Sequence, residues 1–334
     1  MSAQNPPPSH FVLGGGSTEF SQKTRAEKSR YFSRIGLVLI LQALLSYFSL
    51  LILLLLAEGV EWGISLVSGI PAEELARPDW VGILFGMLSM GIGSVGSGLY
   101  FSRRLELEPR EWFAHEKAFP LCQVVVGTMA CLFANQLGGL LASLLNSGLN
   151  QLGWTFSPSA VSSEGDWVGS VLLLLYTAAA APVTEEFLCR GVLLRSLRRA
   201  GGKVAIVFSA LFFALLHGNF SQGIPAFLIG LLLGYFALRG ETLFLVILIH
   251  QLNNLLALFL SALPGNLSAG WSWAFSIAGA AALGLGIWYE WPVLRQLFRE
   301  KASPGSVQLL FSAWSVAAAL LFFGAQALGS LQRV

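Results

Sequence analysis

Nine stretches of predominantly apolar residues alternate with shorter polar stretches along this chain of 334 residues. A transmembrane helix needs about 20 such residues, and most of the stretches approach or exceed that length, although Gly and Pro interrupt several. The pattern therefore predicts an all-α fold, a polytopic transmembrane helix bundle of about nine spans. The predicted spans lie near residues 36–57, 83–101, 121–148, 168–189, 204–218, 222–238, 242–264, 271–289 and 307–328.

Basic residues in the loops follow the same alternation. The segment before the first span contains five Lys and Arg, loop 102–120 contains four and loop 190–203 five, whereas loops 149–167 and 219–221 contain none. Lys and Arg concentrate on the cytoplasmic loops of membrane proteins. The charges therefore favour nine spans, with the amino terminus in the cytoplasm and the carboxyl terminus opposite, in the plasma membrane or another cellular membrane.

The first 35 residues are polar and contain a proline run at 6–8 and a glycine run at 14–16, followed by basic residues. Low hydrophobicity of this kind is typical of disorder. Residues 1–35 are therefore expected to form a disordered basic cytoplasmic segment, and residues 36–150 to form N-terminal transmembrane helices.

The composition excludes several other classes of protein. Only 11% of the residues are charged, against roughly 25% in a typical soluble domain. A net charge of +2 without a basic stripe argues against nucleic-acid binding. Three cysteines without a CxxC spacing indicate neither a disulfide framework nor a thiolate zinc site.

Four ionisable residues fall inside predicted spans, where each costs at least about 2.5–3.5 kcal/mol to insert and usually marks a functional site. They are Glu185 and Glu186 in the fourth span, His217 in the fifth and His250 in the seventh. At 1.5 Å per residue, Glu185 and His217 lie about 20 Å from the basic loops. His250 lies about 14 Å deep, with Asn254 one turn beyond it at about 20 Å. These polar groups, which belong to three helices, are therefore expected to lie at a similar depth in the bilayer.

Helical spacing assigns partners to some of these groups. Residues four apart lie on the same helix face, so His250 and Asn254 face one way and Arg190 can neutralise Glu186. That pairing leaves Glu185, one position away, to face elsewhere. Adjacent carboxylates with different partners can take different roles, one as a base and the other as scaffold.

Three short motifs contain these residues: 185–190 reads EExxxR, 213–217 reads FxxxH and 250–254 reads HxxxN. In this order and spacing they resemble the CPBP family, which includes the CAAX prenyl endopeptidases and the bacterial Abi proteins linked to bacteriocin self-immunity. The resemblance covers roughly residues 168–264. It implies a CPBP-like catalytic core in spans 4–7, with C-terminal transmembrane helices in residues 265–334.

Position in the motifs also implies catalytic roles. Glu185 would act as a general base on a water that His217 helps to hold. His250 and Asn254 would stabilise the oxyanion of the tetrahedral intermediate.

The resemblance further implies that Glu186 and Arg190 form a supporting pair. A Glu/His/His set can also ligate zinc, but no HExxH spacing is present. The resemblance favours a metal-free glutamate site without a cofactor, and zinc remains the alternative. The implied partners are a membrane-associated peptide or lipidated protein substrate and the lipid bilayer, with no nucleic acid.

The implied function is an intramembrane endopeptidase that hydrolyses a peptide bond of a CAAX-type or related membrane-associated substrate with a glutamate-activated water. The alternative is a non-catalytic CPBP-type membrane scaffold or bacteriocin-immunity protein. A transporter, in which Glu and His would relay protons, is a third class, although no inverted repeat is evident.

Structural explanations of the same residues stay open beside the catalytic one. The glutamates can form salt bridges at a helix end with Arg190 and Arg195, and a membrane His can simply bond a neighbouring helix. Asn253 and Asn254 can likewise serve as interhelical hydrogen-bond donors.

Residues 91–96 spell GxGxxG, but no strand precedes them, so the dinucleotide-binding hypothesis lacks its structural context. Ser89, Gly93 and Ser97 are four residues apart. This spacing of small residues favours close helix packing in the second span.

Overall fold

The computed structural model describes residues 20, 22–75, 77–113, 120–156, 167–240 and 242–334. This part of the chain contains ten helices and one two-stranded sheet. The elements are α1 (Arg25–Ser68), α2 (Asp79–Ser102), α3 (Leu121–Gln151), β1 (Trp154–Phe156), α4 (Trp167–Ala200), α5 (Gly202–Leu216), α6 (Phe220–Gly240), α7 (Leu243–Ala262), α8 (Gly265–Arg299), α9 (Ser306–Ser312), α10 (Trp314–Gly329) and β2 (Leu331–Arg333). Short 3-10 turns occupy Ala72–Glu74, Arg103–Leu105 and Pro109–Trp112.

The predicted all-α polytopic bundle is confirmed. Among the described residues, seven helices are long and apolar enough to cross a membrane. The pair α9 and α10, which bends by 65°, is an eighth candidate. Length and composition thus give seven or eight spans rather than about nine, because α5 has only 15 residues and the last span is broken between Ser312 and Trp314.

The outer faces of the helices are apolar. Phe48, Trp273 and Leu321, for example, are 64%, 72% and 74% exposed. Apolar surface on this scale is not left to water in a soluble monomer, whereas hydrocarbon accommodates it. The chain is an integral, multi-pass membrane protein.

The first helix begins inside the segment that was expected to be disordered. Thr24 and Glu27 form a capping box, in which Thr24 Oγ1 accepts from the Glu27 N–H at 3.3 Å and Glu27 Oε2 accepts from the Thr24 N–H at 2.7 Å. Tyr31 and Phe32 are then buried in the core. The expectation is therefore corrected for residues 25–35, which the cap and the buried aromatic rings hold in a helix, while residues 1–19 lie outside the described residues.

Helix ends rich in Lys and Arg meet at one end of the bundle, the basic end, marked by Glu106, Arg199, Lys203 and Phe298. Arg199 Nη1 lies 2.8 Å from Glu106 Oε2, which joins the end of α4 to the end of α2. Lys203 Nζ donates to the Phe298 carbonyl at 2.9 Å, which joins α5 to the end of α8. The connections after α2, α4 and α8 therefore lie on the same side of the molecule.

The opposite end, the strand end, is formed by β1 and β2. These strands pair antiparallel, with Trp154 opposite Arg333 and Phe156 opposite Leu331. The Phe156 ring also packs against Phe220 at the start of α6, with the centroids 5.9 Å apart. Because α8 ends at the basic end and β2 lies at the strand end, the bent pair α9 and α10 runs the length of the bundle.

The interior is organised around α4, whose residues Phe187–Leu194 are all buried. This helix packs against α2, α5 and α7. On α2, the small residues Ser89, Gly93 and Ser97 are buried, and the Gly93 Cα faces the α1 backbone so closely that a Cβ would clash with it. The small-residue face of the second span thus packs against α1, and the Phe187–Leu194 part of α4 is enclosed by its neighbours.

Candidate active site

The two glutamates lie near the middle of α4, between two π-helical stretches, Tyr176–Ala180 and Phe187–Leu194. Pro182 has no N–H to donate to the carbonyl of Ala178, four residues earlier, which favours a wider turn at this point. π-Helical turns are rare and frequently lie at functional sites. The helix thus departs from regular α geometry on both sides of the glutamate pair.

Glu186 is fully buried and pairs with Arg190 on the next turn of α4. Arg190 Nη1 donates to Glu186 Oε1 at 2.8 Å, and Nη2 donates to the Gly230 carbonyl of α6 at 3.0 Å. The guanidinium carbon lies 4.7 Å from the centroid of the Phe213 ring of α5. A buried carboxylate needs a charged partner, and Arg190 supplies it while linking α4 to α5 and α6.

His250 of α7 lies between the two carboxylates. Its Nδ1 is 2.9 Å from Glu186 Oε1, and its Nε2 is 3.8 Å from Glu185 Oε2. An ionised carboxylate can only accept a hydrogen bond, so Nδ1 carries a proton and donates it to Glu186. The ring is thereby fixed with Nε2 facing Glu185.

Glu185 differs from its neighbour in exposure. Its side chain is 22% exposed, whereas that of Glu186 is fully buried. Glu186 accepts hydrogen bonds from Arg190 and His250 through Oε1. Glu185 is therefore the carboxylate of this pair that a water or a substrate can reach.

His217 follows the last residue of α5 and is half-buried. Its Nδ1 lies 2.8 Å from the Phe213 carbonyl, which can only accept, so Nδ1 carries the proton and Nε2 is left as an acceptor in the neutral ring. The Phe213 ring stands edge-to-face with both histidines, with centroids 5.0 Å from His217 and 5.7 Å from His250. Within the described residues no carboxylate lies within 4.0 Å of His217, so His250 is the histidine that contacts Glu185.

Asn254 lies one turn beyond His250 on α7, as its spacing predicts, and contacts α4 at a different level. Its Nδ2 donates to the Thr177 carbonyl at 2.9 Å, and its Oδ1 accepts from Asn253 Nδ2 at 3.1 Å. Thr177 belongs to the first π-helical stretch and precedes Glu185 by eight positions. This contact is an interhelical hydrogen bond between α7 and α4.

Residues 167–256 match the family model described as type II CAAX prenyl endopeptidase Rce1-like. The matched segment contains all three motifs and runs from the start of α4 into α7. This match is consistent with the CPBP family. No curated protein and no solved structure matches the chain. The CPBP resemblance is thus confirmed, and it supports a membrane-embedded protease of the CAAX type that acts on a membrane-associated substrate.

Two CPBP-segment residues contribute to the cluster without having been predicted. The Phe213 ring contacts Arg190 and the two histidines. The sequence feature that could have pointed to it is the FxxxH motif, in which it lies four residues before His217. The Gly230 carbonyl accepts a hydrogen bond from Arg190. The α6 backbone also lies close to α5 here, since a Cβ added at Gly230 would meet Ala210 atoms at 3.0 Å. No sequence signal distinguishes this glycine from the others of the apolar helices.

The candidate ligands of a metal ion in the matched segment are Glu185, Glu186, His217 and His250. Among the described residues, no three His, Cys, Asp or Glu side chains are grouped closely enough to hold one. Each histidine commits its Nδ1 proton to a protein oxygen, Phe213 O or Glu186 Oε1.

Proposed function

We propose that this protein is an intramembrane endopeptidase that cleaves a CAAX-type or related membrane-associated substrate with a water activated by Glu185. The observation that carries the proposal is the arrangement of Glu185 beside His250, whose ring is fixed by the buried pair of Glu186 and Arg190. An accessible carboxylate next to an oriented histidine is a suitable constellation for general acid–base chemistry.

In the proposed step, Glu185 takes a proton from water while the water oxygen attacks the carbonyl carbon of the scissile peptide bond. The tetrahedral intermediate then collapses, the C–N bond breaks, and Glu185 returns the proton to the departing amine. The products are a carboxylate and an amine. A positioned base of this kind contributes about 10²–10⁴-fold to the rate.

His217 is proposed to hold the attacking water. Its Nδ1–H donates to the Phe213 carbonyl, so the neutral ring presents Nε2 as an acceptor for a water O–H. In this role the water would lie between α4 and the end of α5. The edge-to-face contact with the Phe213 ring helps to orient the imidazole of His217.

His250 and Asn254 are proposed to stabilise the oxyanion. Glu186 holds the Nδ1 proton of His250, so His250 can donate from Nε2 when it carries both protons. Asn254 Nδ2 has a second hydrogen besides the one bonded to Thr177. Each donor to an oxyanion is worth about 10²–10³-fold in rate.

We propose no metal and no other cofactor for this reaction. The proposal rests on the buried pairing of Glu186 with Arg190, which neutralises one of the two carboxylates. Cleavage by the purified protein is therefore expected to continue after dialysis against EDTA or 1,10-phenanthroline. Loss of cleavage that Zn²⁺ restores would replace the metal-free mechanism with a zinc-dependent one.

The substrate is proposed to enter from the basic end, with the amino terminus and this end in the cytoplasm, in the plasma membrane or another cellular membrane. The Lys and Arg of the connections after α2, α4 and α8 favour that orientation. The glutamates then lie about 20 Å from the cytoplasmic end of α4. This depth suits a substrate that is anchored in the cytoplasmic leaflet.

The proposal is tested with the full-length protein in liposomes and a prenylated CAAX peptide reporter. Glu185→Gln and His217→Ala, made separately, are expected to lower the cleavage rate by about 100-fold or more. Cys189→Ala, a change at a buried thiol between Glu185 and Arg190, is the matched control and is expected to retain the rate. Full activity of either test variant would overturn the assignment.

The second candidate is a non-catalytic membrane scaffold of the CPBP type. The hydrogen bond from Asn254 to Thr177 favours it, since that contact holds α7 to α4 without any reaction. Comparing membrane peptides from cells that carry the wild-type or the Glu185→Gln protein distinguishes the two candidates. A cellular phenotype that survives both Glu185→Gln and His217→Ala, with no peptide changed, would establish the scaffold.

A further inference from the structure

A cavity of about 810 Å³ lies between α3, α5, α6 and α8, away from the glutamate cluster. Its deep part is lined by Ala130, Leu232 and Ala282, and its outer part, at the basic end, by Lys203 and Arg239. The volume is within the range of about 300–1,000 Å³ that ligand pockets occupy. The cavity is therefore large enough for a ligand, and it is separate from the site at Glu185.

Helix α6 separates this cavity from the candidate active site. Gly230 bonds Arg190 on one side of the helix, whereas Leu231, Tyr235 and Phe236 line the cavity. None of the catalytic candidates contributes to the lining. The two sites lie on either side of α6, and different residues of this helix line each of them.

The cavity opens sideways to the surroundings of the bundle. Three lining residues, Val207, Leu285 and Phe298, are 45%, 64% and 62% exposed. In an integral membrane protein such apolar rims face lipid rather than water. A hydrocarbon chain from the bilayer is consequently the molecule that meets this opening.

Charges are confined to the end of the cavity. Arg239 Nε lies 3.1 Å from Glu290 Oε2, and the Tyr235 hydroxyl donates to the same oxygen at 2.9 Å. Lys203 Nζ donates to the Phe298 carbonyl at 2.9 Å. The lining residues at this end contribute two cations and one carboxylate, and both cations have further N–H donors beyond these contacts.

We propose that the cavity binds an anionic glycerophospholipid from the leaflet at the basic end. One acyl chain would lie among the apolar residues of α3, α6 and α8, and the phosphate would bind Arg239 and Lys203. Basic pockets between transmembrane helices are known to hold anionic head groups. The charge of the mouth and the apolar depth of the cavity match the two parts of such a lipid.

A native thiol reports on the cavity. Cys122 lines it and is exposed, whereas Cys131 and Cys189, the other two cysteines of the chain, are buried. The alkylation rate of Cys122 by N-ethylmaleimide is measured on the full-length protein in dodecyl maltoside, with dioleoyl phosphatidylglycerol or dioleoyl phosphatidylcholine added. The two lipids have the same chains and differ in head-group charge, so selective protection by the first measures recognition of the anion.

Phosphatidylglycerol is expected to protect Cys122 at a lower concentration than phosphatidylcholine. Arg239→Gln is expected to raise the protecting concentration of phosphatidylglycerol about fivefold, the effect of about 1 kcal/mol for one basic residue near an anionic lipid. Arg103→Gln, an exposed arginine at the same end outside the lining, is the matched control and should change nothing. Lys203→Gln is an independent second variant if Arg239→Gln fails to fold.

Filling the deep part tests the acyl chain separately. In native mass spectrometry the wild-type protein is expected to retain one phosphatidylglycerol molecule, and Ala282→Trp is expected to abolish this retention. Equal protection by the two lipids, or equal effects of Arg239→Gln and Arg103→Gln, would overturn the proposal. Protection by geranylgeraniol but by neither phospholipid would also overturn it and would assign the cavity to an isoprenoid chain.

Discussion

Glu185 and Glu186 are adjacent in the chain, but their carboxylates have different surroundings. Glu186 is enclosed with Arg190 and the Nδ1 of His250, whereas Glu185 keeps part of its surface exposed and faces Nε2 of the same ring. One step along the short α-helical segment between the two π-helical stretches thus separates a structural carboxylate from an accessible one. At the residue scale, this difference predicts opposite effects of the same substitution.

Glu186→Gln is expected to destabilise the protein strongly, because it leaves Arg190 buried without its counter-charge. Breaking a buried pair by removing one partner costs about 3–5 kcal/mol. The measurement is the thermal unfolding midpoint in detergent. Glu185→Gln is the matched control and should change the midpoint little, since Glu185 is partly exposed; similar losses in both variants would contradict the assignment of separate roles.

Glu106, at the basic end, predicts a pH dependence of stability. Its hydrogen bond with Arg199 lowers the pKa of its carboxyl, although burial opposes the shift. Because the folded pKa is lowered, the stabilisation is present above the unfolded value of about 4.3 and is lost as the pH falls through the lower folded value.

The stabilisation by Glu106 is small, since its side chain is 62% exposed. It is therefore measured as the difference in unfolding midpoint between the wild type and a variant. The unfolding midpoint of wild type is expected to exceed that of Glu106→Gln at neutral pH, and the gap should close as the pH falls below about 4. Glu108→Gln controls for the loss of an acid at this end. A gap that is independent of pH would contradict the role of Arg199.

At the scale of elements, close helix crossings hold the active-site helices in place. In α3, Gly138 faces the backbone of Pro225 in α6 so closely that a Cβ would clash, whereas the adjacent Gly139 has open space. Pro225 lies in the first turns of α6, the helix that also supplies the Gly230 carbonyl to Arg190. The crossing therefore fixes the position of α6 relative to α3.

Gly138→Ala is expected to destabilise the protein by about 1–3 kcal/mol, as overpacking does, because the obstructing atoms belong to the backbone. Gly139→Ala, one position away on the same helix, is expected to be neutral or to stabilise by up to about 1 kcal/mol through reduced chain entropy. Thermal unfolding of both variants in the same detergent provides the comparison. Equal behaviour of the two glycines would show that α3 and α6 do not cross closely.

Sequence reasoning identified the helices and most polar members of the cluster because both leave one-dimensional signals. Apolar runs predict helices, and charges within those runs predict Glu185, His217 and His250. Depth along a helix fixes only one coordinate, however, and says nothing of rotation about the axis or lateral placement. For that reason His250 rather than His217 proves to contact Glu185, and the two π-helical stretches and the carbonyl of Gly230 could not be foreseen.

At the scale of the whole molecule, the chain has two chemically different ends. Salt bridges and backbone contacts of Arg199, Lys203 and Gly202 gather the basic connections at one end. The pairing of β1 with β2 brings the last residues to the other end, beside the connection that follows α3. The bent pair α9 and α10 therefore starts at the basic end and finishes at the strand end.

This arrangement predicts that the carboxyl terminus and the basic end lie on opposite sides of the membrane. In a background without native cysteines, Val334→Cys and Lys301→Cys would be labelled in intact cells with a membrane-impermeant maleimide. Both positions are exposed, Val334 at 83%, so that a lack of labelling reports on sidedness. Val334→Cys is expected to react from outside the cell and Lys301→Cys only after permeabilisation.

Leu152→Cys is the matched control for this topology, because Leu152 is 74% exposed and lies two residues before β1, whose partner strand β2 precedes Val334. Its labelling should follow that of Val334→Cys in every condition. If Val334→Cys instead behaved like Lys301→Cys, α9 and α10 would enter and leave the membrane on one side, the chain would cross the bilayer an even number of times, and the pairing of β1 with β2 could not exist in the membrane.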